Sequence, residues 1–181
     1  MPRRPLSLNE TADVENLFGE SIDTSRVRIT RDEFLSFYAP KVVGDTIHLR
    51  ADWGLFIGGG LALSPRGQSV LVHELVHVWQ YQRGGVAYIG SSLWAQSLGV
   101  LTGKGRGAAY HWQAAVDRGL PWSRWNAEQQ AQAIQDLHDA RLRAREARPD
   151  PIDLGLVETL TPLLVELRAG RGAPRIFGRT A

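Results

Sequence analysis

The sequence predicts an α+β domain organised around one long, buried helix, and three observations carry that prediction. Residues 65–84 have helical start and stop signals, with Ser64-Pro65 before them and Gly84-Gly85 at their end. Short segments with strand character precede that stretch, at Val27 and Ile29, around Phe34 to Tyr38, and at Thr46 to Arg50. Helix-period patterns follow it. With 181 residues, 43% of them hydrophobic, the chain can bury a sizeable core, and no repeat or linker divides it. It is expected to form a single domain over 1–181, with a loose tail from about 170.

Taken in order, Ser7-Leu8-Asn9-Glu10 is a capping-box pattern that opens a short amphipathic helix ending near Gly19. The three strand segments predict a small, mostly antiparallel sheet, with Gly44-Asp45 as the turn before the last of them. Glycines from Gly54 to Gly60 suggest a connector at the lip of a cleft. In the long helix, Val72, Leu75, Val76 and Trp79 form an apolar stripe that anchors it, leaving the opposite face, with Val70 and Tyr81, to line the cleft. The stretch to about Leu101 is ambiguous but helical in parts. The following run from Thr102 to Gly107 lacks the preceding strand and the Gly-Lys-Ser/Thr ending of a phosphate loop. Asn126 then opens a helix to about Arg148, closed by Pro149 and Pro151, and a last helix through Leu154, Leu160 and Leu167 is interrupted or restarted at Pro162.

Composition excludes several classes of function. There is no cysteine, so disulfides and thiolate ligands are ruled out and a metal site must use His, Asp and Glu. The net charge of +2 and the arginines at 141, 143, 145 and 148 form no recognised nucleic-acid motif, so no nucleic-acid partner is expected. No apolar leader follows the first residues, which predicts a cytoplasmic start and, for any export, a route that does not read such a leader. The apolar stretches Leu55 to Leu63 and Val86 to Leu101 are too short or too interrupted to span a bilayer, so no membrane partner is expected either.

Chemistry is concentrated in His73-Glu74-Leu75-Val76-His77. At about 100° per residue, the two imidazoles sit about 40° apart and one turn along, so both can reach one ion. Glu74 projects to the side, where a carboxylate is poorly placed to ligate but well placed to act as general base towards a water. A catalytic zinc (Zn2+) centre needs a third protein ligand and an open position. Glu128, Asp136, His138, His111 and Asp117 are the candidates. The pattern around Glu128 favours it, because Ala131, Ile134, Leu137 and Ala140 can pack that helix against the motif helix; His111 and His138 compete. A third histidine six residues after His77 is excluded, since Arg83 stands there.

Four blocks in order carry a resemblance: Ser21-Ile22-Asp23-Thr24-Ser25-Arg26-Val27-Arg28-Ile29, Gly44-Asp45-Thr46-Ile47-His48-Leu49, Leu71-Val72-His73-Glu74-Leu75-Val76-His77-Val78-Trp79-Gln80, and Glu128-Gln129-Gln130-Ala131. From about Ile22 to His138 the chain resembles zincin-like metallopeptidases with a glutamate third ligand. In particular, it resembles the domain found in proteins of extracellular contractile injection systems and in Vgr-related proteins. The resemblance implies a minimal zincin-like fold, zinc held by His73, His77 and Glu128, and peptide hydrolysis with Glu74 as base. It further implies peptide or protein substrates and, as other partners, secretion-system components or an inhibitor. The pair of glutamines usual after the second histidine is here Trp79-Gln80.

Tyr110, His111 and Tyr81 are candidates for a second electrophile at the oxyanion. A substrate peptide could pair with a sheet edge near Thr46 to Arg50. The rival reading is a non-catalytic zincin-like cargo or docking module of a secretion apparatus; a purely structural site, however, has no use for Glu74.

Overall fold

The computed structural model describes residues 3–31, 39–85 and 110–173. In chain order these residues form strand β1 (Arg3–Arg4), helix α1 (Leu8–Phe18), strands β2 (Arg28–Arg31), β3 (Lys41–Val43) and β4 (Thr46–Leu49), and helices α2 (Pro65–Gly84), α3 (Gln113–Asp117), α4 (Ala127–Arg143), α5 (Pro151–Leu160) and α6 (Leu163–Arg168). The α+β class is as the sequence predicts. The possible strand at Phe34 to Tyr38, the segment from Val86 to Leu101, the glycine run and most of the tail lie outside the described residues.

The sheet has the order β1-β2-β4-β3. Its two outer pairings are antiparallel and its central one, β2 with β4, is parallel, with Ile29 opposite Ile47. The sheet is therefore mixed, though antiparallel pairs outnumber the parallel one. Gly44 makes the β3–β4 turn at φ 61°, a left-handed conformation that glycine adopts without a Cβ clash. β1 and β3 carry no readable signal in the sequence because two and three residues are too short for a period. What fixes β1 is tertiary: the Arg4 guanidinium grips the Glu10 carboxylate with two bonds of 2.6 and 2.7 Å and reaches the Leu61 carbonyl at 2.8 Å. Glu10 also closes the capping box with Ser7, so one carboxylate anchors both β1 and the start of α1.

Helix α2 starts and stops as its signals require. The Ser64 hydroxyl accepts the Gly67 N–H, Pro65 occupies the first turn, and Gly85 ends the helix at φ 67°. Every residue from Leu71 to Gln80 is buried. This corrects the expectation of a helix with one face open to a cleft. α4 runs along α2, while β3, β4 and α1 pack beside it. Ala131, Ala133, Ile134 and Leu137 of α4 share one core cluster with Leu71, Val72, Leu75 and Val76 of α2, and the small alanines permit close approach of the two helices.

α4 ends at Arg143, earlier than the expected Arg148, because the chain has to reverse so that Arg143 can hold Asp153 in the first turn of α5 with bonds of 2.8 to 3.0 Å. Arg141 is likewise engaged, on the Thr161 hydroxyl. Two of the four arginines of the expected basic patch thus tie helices together. The last helical stretch breaks at Thr161-Pro162 into α5 and α6, as Pro162 predicts. α6 packs on α1, and the Arg168 guanidinium donates to the Asn16 and Leu17 carbonyls at the end of α1. Among the described residues, no helix is long and apolar enough to cross a membrane.

Gly67 is required for a reason helix propensity does not foresee. A Cβ there would fall onto the Leu55 carbonyl oxygen and within 3.2 Å of the Leu63 Cβ. Intrinsic propensity favours alanine in a helix by about 1 kcal/mol. Gly67→Ala should nevertheless lower the unfolding free energy by about 2 kcal/mol through overpacking; a urea midpoint that is unchanged or raised would contradict the close approach.

Candidate metal centre

α2 presents His73 and His77 one turn apart, with ring centroids 5.0 Å from each other and planes at 80°. Glu128 enters from the first turn of α4, which Asn126 and Gln129 start with a complete capping box. Both histidine Nε2 atoms face the same Glu128 oxygen, Oε2, at 3.3 and 3.4 Å. Ligand atoms from the three side chains all lie within 4.8 Å of one another, and all three residues are buried. The two imidazoles a turn apart and the distant carboxylate, the set favoured from sequence, therefore converge.

The donor set fits a divalent cation on three counts. Zinc–ligand bonds of about 2.0–2.2 Å at tetrahedral angles place neighbouring ligand atoms about 3.3–3.5 Å apart, which is the spacing from Oε2 to the two Nε2 atoms. A direct N–H···O bond favours about 2.9–3.0 Å, so these contacts are long for hydrogen bonds. Each imidazole is also held at its far nitrogen, His73 Nδ1 by Gln135 Oε1 at 3.0 Å and His77 Nδ1 by Gln80 Oε1 at 2.8 Å. Accepting carbonyls at Nδ1 leave the Nε2 lone pairs directed at the centre. Finally, among the described residues Glu74 Oε2 is buried with no hydrogen-bond partner, an orphaned acceptor beside the centre.

Electrostatics of the metal-free chain point the same way. Burial alone would push the His77 imidazolium down, but the Glu128 carboxylate, with help from Glu74 and Gln80, carries it up to about 9. Burial works against the Glu128 anion, yet the two histidines hold its carboxyl well below the ordinary range. Without a metal, a proton on His77 supplies the positive charge that Glu128 needs. Burial raises the Glu74 carboxyl against the opposing pull of His77 and His73.

The other candidates for third ligand are engaged elsewhere or exposed. Asp136 accepts from Trp112 Nε1 and Gln132 Nε2, each at 2.7 Å. His138 pairs with Asp139 at 3.1 Å, and His111 and Asp117 are exposed. Of the second-electrophile candidates, Tyr110 has its ring centroid 6.0 Å from that of His73, and His111 lines a cavity of about 190 Å³ with Tyr110, Trp112 and Asp136. Tyr81 instead lies against the β3–β4 turn, where a Cβ on Gly44 would stand 3.8 Å from its hydroxyl. The expected sheet edge near Thr46 to Arg50 is also corrected: β4 is paired on both sides over Thr46–His48, and β3 and β1 are the outer strands.

Sequence reasoning missed the supporting glutamines. Gln80 lies three residues after His77, and Gln135 lies seven after Glu128, so helical periodicity puts both on site-facing sides. Gln80 is the part of the Trp79-Gln80 pair that touches the centre. Trp79 is fully buried in the core, its ring 6.5 Å from that of Trp122.

A pH series tests this electrostatic account. His77 binds its proton more tightly in the folded metal-free chain, so that stabilisation is fully present below about 6.5 and is lost as pH rises towards 9. Urea midpoints of chelator-treated protein should fall over that window, and those of His77→Gln should fall less. Saturating zinc should remove the fall and add about 4 kcal/mol at a thousandfold excess over Kd. Midpoints indifferent to both pH and zinc would contradict the pairing of His77 with Glu128.

Comparison with known proteins gives one relative. The chain is 27% identical over 143 residues to the type VI secretion system spike protein VgrG2b of Pseudomonas aeruginosa, a match covering 74% of this chain and 13% of that protein. The chain thus spans about an eighth of its relative's length. No family model and no solved structure matches it. The similarity links the chain, in part of its relative's length, to a protein of a secretion apparatus.

Proposed function

We propose that this chain is a zinc-dependent peptidase associated with a type VI secretion apparatus, acting as an effector or a processing protease. The observation that carries this reading is the convergence of His73, His77 and Glu128 on one point with the unpartnered Glu74 carboxylate beside it. The similarity to part of a spike protein supports the association with secretion. Components of that apparatus, a peptide or protein substrate and an inhibitory partner are then the proposed partners.

Bound zinc would supply Lewis acidity, lowering the pKa of a water to about 7 and polarising a peptide carbonyl. His73, His77 and Glu128 would hold the ion, through two neutral nitrogens and one anionic oxygen. Glu74 takes the proton of the attacking water and returns it to the leaving amine nitrogen. Its burial raises its proton affinity. Tyr110, set beside His73, is the better placed of the tyrosines to donate a hydrogen bond to the carbonyl oxygen as charge develops there.

Glu74 also separates this reading from a non-catalytic docking module, in which nothing requires an unpartnered carboxylate next to the ligands. Glu74→Gln keeps the shape and should leave zinc stoichiometry unchanged while lowering kcat/KM on an unfolded protein substrate by about 10²–10⁴-fold. Glu128→Ala should lower zinc content itself. Equal cleavage by Glu74→Gln and unaltered protein would overturn the proposed role of Glu74. Zinc binding with no cleavage by the unaltered chain would favour the docking module.

A further inference from the structure

The two imidazoles are each held by a glutamine, but the two arms end differently, and the end fixes the direction of every hydrogen bond along an arm. On the His77 side, Gln80 Nε2 donates to the Ala127 carbonyl at 3.1 Å and to Gln130 Oε1 at 2.9 Å. Gln130 Nε2 in turn donates to the Trp122 and Gly172 carbonyls at 3.0 and 2.8 Å. This arm ends on main-chain oxygens, which can only accept. No side-chain substitution alters that end.

On the His73 side the terminus is a side chain. Gln135 Nε2 donates to Ser69 Oγ at 2.8 Å, and Ser69 Oγ donates to Asp139 Oδ2 at 2.6 Å. A carboxylate only accepts, so the one hydroxyl proton of Ser69 is committed to Asp139 and a Ser69 lone pair takes the Gln135 N–H. Gln135 must then turn its carbonyl towards His73, at 3.0 Å, and His73 must carry its proton on Nδ1. Its Nε2 faces Glu128 Oε2 at 3.3 Å, where a bound cation would take the nitrogen lone pair. The other Asp139 oxygen is occupied by His138 Nδ1 at 3.1 Å, which pins the carboxylate.

We propose that Ser69, Gln135 and Asp139 form a positioning relay that sets the tautomer of His73 and thereby the affinity of the centre for a divalent cation, with Asp139 setting the polarity of the relay. The effect on affinity rests on the metal-centre reading above; the effect on the tautomer does not. Helix geometry assembles the relay. Ser69 is one turn before His73 on α2, and Gln135 and Asp139 are one turn apart on α4, so the relay crosses the α2–α4 interface.

The relay can be reversed with almost no change in volume. In Asp139→Asn the new amide can turn an N–H to Ser69, whose proton then goes to Gln135. The Gln135 amide flips, its N–H faces His73 Nδ1, and the His73 proton moves to Nε2, where it blocks the metal. Ser69→Ala cuts the relay in the middle and frees Gln135 to flip. The His77 arm is untouched in both variants and serves as an internal control.

The experiment combines zinc titration against a chromogenic chelator with ring-nitrogen NMR of histidine-labelled, metal-free protein. Asp139→Asn and Ser69→Ala should each weaken zinc binding about tenfold or more. In both, the His73 signal should shift from the Nδ1–H towards the Nε2–H tautomer, while His77 is unchanged and the urea midpoint moves little. His73 remaining in the Nδ1–H form in both variants would overturn the relay. A tautomer shift with unaltered zinc affinity would overturn its link to the metal. Failure of the unaltered chain to bind zinc would refute the metal centre, while the NMR comparison still decides whether the relay sets the tautomer.

Discussion

The Glu128 carboxylate, 1% exposed, is the constraint on which the rest of the structure depends. A buried anion is costly unless positive charge and hydrogen-bond donors surround it. α2 supplies two imidazoles to the same oxygen, and this chain can balance the carboxylate with a proton on His77 or with a metal cation. The long contacts from Glu128 Oε2 to the two Nε2 atoms favour the metal. Either solution requires α2 and α4 to be held against each other at a fixed depth, which their shared core of leucine, valine, isoleucine and alanine side chains does.

Seen from that interface, the remaining elements are supports. The sheet and α1 cover the faces of α2 that α4 leaves open, and α5 and α6 hold the far side of α4 and the end of α1. The polar residues between α2 and α4 are nearly all committed to one another. Gln80, Gln130, Gln135, Ser69 and Asp139 each have named partners, and among the described residues Glu74 Oε2 has none. Among the described residues, the buried side-chain polar atoms without a hydrogen-bond partner are Glu74 Oε2, next to the three convergent side chains, and Trp79 Nε1 in the core.

How much of this was legible in the sequence depended on the range of the signals. Ser7, Ser64, Pro65, Asn126 and Gly85 act on backbone groups within a turn, and each marked its helix end correctly. The two histidines and Glu74 were legible because one helical turn fixes their relation. Glu128 was reached through the apolar stripe of its helix and the resemblance of its surrounding block. β1 and β3 were not legible, being too short for a period and defined by their partners. Nor was the full burial of the histidine face: packing of α4 on α2 was expected, but how much of α2 its neighbours cover is set by tertiary contacts. The relay through Ser69 and Asp139 was hidden for the same reason: each residue alone has the composition of an ordinary polar helix surface.

X-ray absorption of the zinc-loaded protein tests the central claim most directly, because it reads the coordination shell itself. The predicted result is one tightly held zinc with a four-coordinate shell of nitrogen and oxygen at about 2.0–2.1 Å and an imidazole scattering signature from two histidines. A chain that retains no metal, or a zinc surrounded by oxygen alone, would contradict the convergence of His73, His77 and Glu128 on a shared ion.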